Sequence, residues 1–273
     1  MLLDPVHAPL ARTPGSPAFP ARWIDGTDPA EAAIQSWRYD ATTVLLRQSL
    51  RTHFEAPFLV LLVGGERALL VDTGTGDANV RAEVDRALSG SKVDLLVAHS
   101  HAHDDHVGGD GQFEGRARTR IVGHAPEAVG RELGLDADGA GVLDLGDRLV
   151  DVLTIPGHER SHVAFYDRRT ELLFTGDTLY PGRLYVRDWS AYCGSVARLA
   201  SFVADRPVAH VVGAHVELTA DDVEYAPEAT VHPDEHRLEL GVSVLHDLAA
   251  TIEAMAHAPI KKARPSYVVV PLF

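Results

Sequence analysis

The sequence predicts an α+β fold in which helices cover β-sheets that pack against each other. Strands come first along the chain, then a helix, then further strands, and finally helices mixed with strands. Many of the predicted strands end in Asp, His or Gly, so ligand-type side chains stand at strand ends. Loops that follow rigid strands are common places for chemistry, and the strand pattern therefore also indicates where a site lies.

Short apolar runs with β-branched members predict the strands. They lie at residues 43–47, 58–63, 68–74, 93–98, 119–124, 149–155, 163–166, 172–177, 208–212 and 266–273. Apolar residues at helical spacing predict helices at residues 78–88, 126–133, 190–204 and 242–257. Residues 64–67 contain two glycines between two strands and predict a hairpin turn.

Length and composition bound the possible partners. The 273 residues are enough for one large core, and we expect a single domain at residues 21–273 behind a Pro-rich irregular arm at residues 1–20. The net charge of −14 argues against nucleic acid as a bulk partner, because neutralising phosphates needs a basic face. We expect a cytoplasmic protein without a membrane span, because there is no long apolar run or signal-peptide pattern, and the single cysteine, Cys193, fits a reducing compartment.

Side chains that can bind a metal are most concentrated in residues 100–106, which contain three histidines and two aspartates. His101 and His103 are two residues apart, so their side chains point the same way on an extended backbone and can hold one ion together. Asp105 and His106 lie beyond the turn, where they can face a second ion. Imidazole and carboxylate are ligands that a borderline cation such as zinc prefers. The alternative is a solvated, histidine-rich loop.

Three later residues share one local design, in which an apolar strand is followed by a glycine and a ligand-type side chain. These residues are His158, Asp177 and His215. Each one alone is typical of a turn or a helix cap. Together they are expected to project from neighbouring strand ends toward residues 100–106.

In these residues the chain resembles the metallo-β-lactamase superfamily. The His-x-His-x-Asp-His motif of that family and its later ligands are matched, in the expected order, by His101, His103, Asp105, His106, His158, Asp177 and His215. The strand-ending aspartate of the family is matched by Asp72. The resemblance implies a four-layer αββα sandwich with a two-metal site at one edge of the β layers.

The same resemblance implies how the ligands are shared between two zinc ions, with iron or manganese as alternatives. The implied ligands of the first ion are His101, His103 and His158. Those of the second are Asp105, His106 and His215, with Asp177 between the two ions. Asp72 is expected to accept a hydrogen bond from a ligand imidazole and to set its tautomer.

A hydrolase acting on a small carbonyl substrate (a lactone, ester, β-lactam or thioester) is the function that the resemblance implies. A hydroxide shared by the two metals would attack the carbonyl, and Asp105 would orient it and later pass a proton. Tyr180 or Tyr185 can donate a hydrogen bond to a developing oxyanion, and Arg183 can hold a carboxylate. The equal alternative is that the tyrosines pack and that Arg183 pairs with an acid.

Further residues are candidates for the walls of the cleft. His232, Glu235 and His236 either line it or structure a loop, and the loop is favoured. Other candidate wall residues, for which core packing is favoured in the case of the aromatics, are His53, Phe54, Phe58 and Trp189. Cys193 has no ligand-spaced neighbour and is not expected to bind metal.

Other function classes stay open on the same fold. A phosphodiesterase or nuclease is disfavoured by the acidic balance and the lack of a clustered basic stretch. A di-iron redox protein is disfavoured by the histidine-rich ligand set and the lack of a further domain. The complete ligand set argues against a non-enzymatic binder with a vestigial site. We expect a small-molecule substrate, and the oligomeric state stays open.

Overall fold

A computed structural model describes residues 18–273, so most of the predicted arm at residues 1–20 lies outside the described residues. Of that arm, Phe19 is buried and its ring lies 5.1 Å from the ring of Tyr39. The start of the described chain is therefore part of the core. Within residues 18–273, no helix is long and apolar enough to span a bilayer.

The described residues form 15 strands, five α-helices and a 3₁₀ turn at Asp110–Gln112. The strands, in chain order, are β1 (Ile34–Arg38), β2 (Thr43–Gln48), β3 (Phe58–Val63), β4 (Arg67–Val71), β5 (Asp94–Ala98), β6 (Thr119–Ile121), β7 (Ala140–Asp144), β8 (Leu149–Thr154), β9 (Val163–Asp167), β10 (Leu172–Gly176), β11 (Arg183–Val186), β12 (His210–Gly213), β13 (Glu239–Leu240), β14 (Lys262–Arg264) and β15 (Tyr267–Pro271). The helices are α1 (Val80–Ala87), α2 (Asp104–Val107), α3 (Pro126–Glu132), α4 (Trp189–Val203) and α5 (Val242–Ala254).

The strands form two large mixed sheets and one small sheet. The first sheet has the order β1-β2-β3-β4-β5-β6, and the second has the order β13-β12-β10-β9-β8-β7. In the first sheet β4 and β5 are parallel, and in the second β10 and β12 are parallel. The small sheet, β11-β15-β14, stands apart from both.

Alternation along the strands divides the core into layers, because successive side chains point to opposite faces of a sheet. In β3, Val60 and Leu62 belong to the cluster between the two large sheets, whereas Leu59 and Leu61 pack with α1 on the outer face. In the second sheet, Leu173 of β10 packs outward with α4 and α5. The order of layers is helix, sheet, sheet, helix, which confirms the predicted αββα sandwich.

A buried ion pair links the two large sheets. The Arg148 guanidinium, just before β8, donates from Nε and Nη2 to the two oxygens of Asp167 at 2.8 and 2.6 Å. It also donates to the carbonyl of Thr42 and to Oγ1 of Thr43 in the first sheet. Both charged side chains are fully buried. Burial raises the pKa of Asp167, but hydrogen bonds and charge from Arg148 outweigh burial and lower it.

Replacing Arg148 by methionine is expected to lower the free energy of unfolding by about 3–5 kcal/mol, because it leaves a buried carboxylate unpaired. The matched control is Arg118→Met, which breaks the exposed pair with Asp94 and is expected to cost at most about 1 kcal/mol. Urea unfolding of both variants measures the difference. Pairing lowers the pKa of Asp167 in the folded protein, so the ion pair stabilises the fold at pH values above the ordinary carboxyl pKa of about 3.9. This contribution is lost as the pH falls from that value toward the lowered pKa of Asp167. The difference in unfolding free energy between wild type and Arg148→Met should therefore become smaller as the pH is lowered. A loss at neutral pH no larger than that of Arg118→Met would show that the buried ion pair does not stabilise the fold.

Four strand ends meet at one edge of the β layers and carry the motif residues. Asp72 follows β4, residues 99–106 follow β5, Asp177 follows β10, and His215 lies just beyond β12. The chain turns toward the same edge after β8 at Gly157, whose φ is +137°. A Cβ there would lie 2.5 Å from the Tyr192 Cα of α4, so a glycine is needed for this close approach.

Candidate metal centre

Three imidazoles converge at the edge of the sheets and form what we term the first group: His101, His103 and His158. Nδ1 of His103 lies 2.9 Å from Nε2 of His101 and 3.0 Å from Nε2 of His158. Burial lowers the pKa of all three, and that of His101 lies well below its ordinary value. Neutral imidazole is the form that binds a metal, so the first group offers three ligand nitrogens to one point.

A second group, Asp105, His106 and His215, lies beside the first. Oδ2 of Asp105 is 3.1 Å from Nε2 of His106 and 3.3 Å from Nε2 of His215. Burial disfavours charge on these two histidines, but the carboxylates of Asp105 and Asp177 outweigh it and raise the pKa of each well above the ordinary value. The carboxylates thus create a negative potential that a proton or a cation satisfies.

Asp177 lies between the two groups. Its Oδ1 is 3.5 Å from His106 Nε2 and 3.4 Å from His215 Nε2, and its Oδ2 is 3.5 Å from His158 Nε2. Burial raises the pKa of Asp177, but the neighbouring histidines outweigh burial and hold it far below the ordinary value. Within residues 18–273, the buried Oδ1 has no hydrogen-bond partner. A buried acceptor without a donor, facing two imidazole nitrogens, fits a metal ligand.

Outer hydrogen bonds orient the rings of three histidines in these groups. Nδ1 of His106 donates to Asp72 at 2.9 Å, Nδ1 of His158 donates to the Tyr185 carbonyl at 2.8 Å, and Nδ1 of His215 donates to the Glu55 carbonyl at 2.8 Å. In the neutral form of each ring, the lone pair of Nε2 therefore faces the cluster. The contact of Asp72 with His106 is the one expected from the sequence, and its role in setting the tautomer of a metal ligand stays a prediction. The donor set of imidazoles and carboxylates fits borderline divalent cations such as zinc.

His162 is a buried residue beside the two groups that was not predicted from the sequence. Its ring centroid lies 4.6 Å from that of His101, and its Nδ1 lies 3.3 Å from Oγ1 of Thr178. Its fully buried Nε2 has no hydrogen-bond partner among residues 18–273. No spacing relates His162 to residues 100–106, and only its position next to β9 offered a signal.

The predicted oxyanion donor Tyr180 is buried beside His215, at 5.4 Å between ring centroids. Its hydroxyl donates to the Arg183 carbonyl and lies 3.1 Å from Oε2 of Glu217. The hydroxyl proton is therefore engaged within the protein, and the oxyanion role stays a prediction. Arg183 donates to Glu217 at 2.9 Å, which supports the alternative of pairing with an acid.

The segment after β12 is structured by its own polar residues. Glu235 accepts two hydrogen bonds from the buried Arg47, at 2.6 and 2.8 Å. His232 stacks on Tyr225, with 4.0 Å between ring centroids, and also lies 3.2 Å from Glu235. His236 bonds to the Arg237 carbonyl and to Ser266. The favoured interpretation of these residues as loop structure is supported, although His232 also lines the cleft.

A cavity of about 410 Å³ opens over the two groups. Phe54 and Tyr185 form part of its wall, and His53 stacks on Phe54 at 4.6 Å. Phe58 is instead part of the core, and Trp189 lines an adjoining cavity of about 880 Å³ that also borders His103 and His158. The site is thus open to a small molecule from two sides.

Comparisons with known proteins agree with this geometry. The sequence model of the metallo-beta-lactamase superfamily matches residues 55–237. A hydroxyacylglutathione hydrolase of Stenotrophomonas maltophilia is 32% identical over 164 residues, which cover 58% of this chain and 61% of that protein. Another of Pseudomonas fluorescens is 31% identical over 189 residues, covering 68% and 69% respectively. The chain thus spans about three fifths of the Stenotrophomonas protein.

Solved structures share the fold. A metallo-β-lactamase of Erythrobacter litoralis superposes with a TM-score of 0.60 at 18% identity, covering 82% of this chain and 98% of that one. A metallo-β-lactamase of Pseudomonas aeruginosa gives 0.58 at 14% identity, covering 85% and 99%. At such low identity the likeness concerns the fold alone.

Proposed function

We propose that this chain, which belongs to the metallo-β-lactamase superfamily, is a dinuclear zinc hydrolase of small thioesters of the hydroxyacylglutathione type. The similarity to bacterial proteins named hydroxyacylglutathione hydrolase is the observation that carries the substrate class. The metallo-β-lactamase structures support the fold, not the substrate. Lactones, esters and β-lactams are the alternative substrates of the same site.

The ligand set supports two ions. One would be held by His101, His103 and His158, the other by Asp105, His106 and His215, with an oxygen of Asp177 facing each group. When bound, such ions lower the pKa of water toward neutrality and polarise a carbonyl oxygen. Zinc suits the imidazole-rich donor set, with iron and manganese as alternatives.

The chain's own residues position water and move a proton. Asp105 borders the cavity, and its Oδ2 is held by the imidazoles of His106 and His215. We assign Asp105 the roles of orienting the attacking water and of accepting its proton on the carboxylate. The same proton then passes to the departing sulfur. The reaction forms a carbon–oxygen bond and breaks the carbon–sulfur bond, giving a carboxylic acid and a thiol.

Two exposed arginines, Arg160 and Arg187, flank the site on the adjoining cavity, where His103 and His158 form the shared wall. Arg187 also borders the first cavity, and its charge adds to burial in lowering the pKa of His103. A glutathione thioester carries carboxylates, which guanidinium groups bind well. The arginines therefore support an anionic small molecule as the substrate.

Hydrolysis of a thioester, a lactone, a β-lactam and a phosphodiester, measured beside metal content by elemental analysis, tests the proposed function. We expect two zinc ions per chain and the highest kcat/KM on the thioester. Preference for a lactone or β-lactam would keep the hydrolase and overturn the substrate class. Two irons without any of these activities, or turnover of the phosphodiester alone, would overturn the proposal.

Arg187→Ala is expected to raise KM for the anionic thioester about tenfold with little change in kcat, because it removes one charge-assisted hydrogen bond remote from the scissile bond. The matched control is Arg131→Ala, an exposed arginine on α3 whose loss should leave KM unchanged. An equal effect on a neutral thioester would show that Arg187 does not recognise charge.

Tyr180→Phe tests the predicted oxyanion role. Loss of an oxyanion donor lowers kcat about a hundredfold or more. Because the Tyr180 hydroxyl donates to the Arg183 carbonyl, we expect a decrease smaller than tenfold and a loss of stability of about 1 kcal/mol. Measurement of kcat and urea unfolding on one preparation separates the outcomes, and a hundredfold loss of kcat at full stability would establish the donor.

A further inference from the structure

A second cluster of metal-binding side chains, which we term the His99 cluster, comprises His99, Asp110 and His124. It shares no residue with the two groups described above, and none of its members borders the cavity over them. Nε2 of His99 lies 2.8 Å from Oδ1 of Asp110, and Nε2 of His124 lies 2.8 Å from Oδ2. All three ligand atoms lie within 4.8 Å of one another.

Strand topology explains why these residues meet. β4, β5 and β6 are parallel neighbours, so their carboxyl ends lie at one edge of the first sheet. His99 directly follows β5, and His124 follows β6 by three residues. Asp110 begins the 3₁₀ turn that follows residues 100–106 in the chain. Three separate chain segments thus bring side chains to one point.

The geometry of these three side chains resembles that of ligands arranged around a metal ion. The two imidazole rings meet edge to face, at 88° and 4.9 Å between centroids, so their nitrogens reach the carboxylate from different directions. The hydroxyl of Thr73 donates to Oδ1 of Asp110 at 2.8 Å and holds the carboxylate from outside the cluster, as outer partners of metal ligands do.

Accessibility supports an exchangeable ion. The His99 side chain is 5% exposed and that of Asp110 18%, whereas that of His124 is 41% exposed. The cluster is therefore closed on the His99 side and open to solvent at His124, which gives an ion a route of entry and leaves room for water to complete its shell.

We propose that the His99 cluster is a further divalent cation site, separate from the two-metal centre, which binds zinc through two imidazole nitrogens and one carboxylate. An ion there joins the ends of β5 and β6 to the segment that follows His106. Thr73, which holds Asp110, also donates its backbone N–H to the His106 carbonyl at 2.8 Å. The site therefore braces the loop that carries the catalytic ligands.

Equilibrium dialysis of the metal-free protein against buffered free zinc, followed by elemental analysis, tests this site. We expect wild type to bind one zinc per chain more than His124→Ala and more than Asp110→Asn. The matched control is His246→Ala, an exposed histidine on α5, which should bind as many ions as wild type. Circular dichroism checks that each variant is folded.

A reciprocal experiment separates this site from the proposed hydrolase centre. His103→Ala should lose an ion of the two-metal centre and retain the ion of the His99 cluster, whereas His124→Ala should show the opposite pattern. Zinc should also raise the unfolding temperature of His103→Ala more than that of a His103→Ala, His124→Ala double variant. Equal zinc content of wild type and His124→Ala would overturn the proposal and leave a hydrogen-bonded His-Asp-His cluster. The readout is bound zinc, so a failure of the thioesterase assignment would leave this result unaffected.

Discussion

His103→Ala is expected to abolish nearly all hydrolysis while leaving the fold intact. Nδ1 of His103 is the nitrogen that both His101 and His158 approach, at 2.9 and 3.0 Å, so its loss breaks up the first group. The side chain is only half-buried and makes no capping hydrogen bond to α2, so little packing is lost. Loss of an outer partner costs about 10–100-fold in metal affinity or activity, and loss of a ligand itself should exceed a hundredfold.

The measurements are kcat/KM and metal content on the same preparation, with urea unfolding of the metal-free proteins as the test of fold. His246→Ala is the matched control, because it removes an exposed imidazole that belongs to neither group. Retained turnover with full metal content in His103→Ala would contradict the assignment of the first group. Reduced metal content with unchanged turnover would show that the first group does not serve hydrolysis.

Buried strands were predictable because their residue pattern has one physical meaning. β3 is a continuous apolar run and lies at Phe58–Val63, where the sequence predicted it. The helices with one apolar face were also predictable, and α4 begins and ends within one residue of the expected bounds. The position of a strand fixes the position of a candidate ligand that directly follows it. Asp177 and His215 could therefore be placed at one edge of the sheets from local sequence pattern alone.

Peripheral strands were not predictable. β1 (Ile34–Arg38) and β7 (Ala140–Asp144) lie at sheet edges and are partly exposed, so their mixed composition does not separate them from loops. β11 is one strand of the small three-stranded sheet and pairs with β15 at the other end of the chain. Its existence depends on a partner about eighty residues away, and such pairing leaves no local pattern.

Side-chain partners were less predictable than side-chain positions. The sequence placed Tyr180 and Arg183 near the site, but their hydrogen bonds to each other and to Glu217 depend on a turn that only the folded chain defines. His162 reaches His101 through the packing of two strand ends, and no spacing in the chain encodes that contact. Roles that rest on a free donor therefore need the structure, whereas the candidate ligand residues could be named from the sequence.

Asp72→Ala is expected to lower both the stability of the fold and the affinity for metal. Asp72 accepts a hydrogen bond from the Ser100 backbone and also bonds to His106, a candidate ligand. Its φ is +68°, a left-handed conformation that aspartate tolerates better than alanine. The buried carboxylate accepts from the Ser100 N–H at 2.6 Å and from the Ser100 hydroxyl and His106 Nδ1, each at 2.9 Å. An unpaired buried N–H and the strained conformation together should cost about 2–4 kcal/mol of unfolding free energy.

Asp72→Asn separates the two roles. Asparagine also tolerates the left-handed conformation, and its carbonyl oxygen can still accept from the Ser100 N–H, so we expect less than half of the stability loss. Its amide NH₂ cannot accept a hydrogen from Nδ1 of His106, so the tautomer of that ligand is no longer set and metal affinity should fall about 10–100-fold. Urea unfolding of the metal-free proteins and zinc content at fixed free zinc give the two readouts. Wild-type zinc affinity in Asp72→Asn would show that the position of the His106 ring, rather than its bond to a carboxylate, is what makes it a ligand.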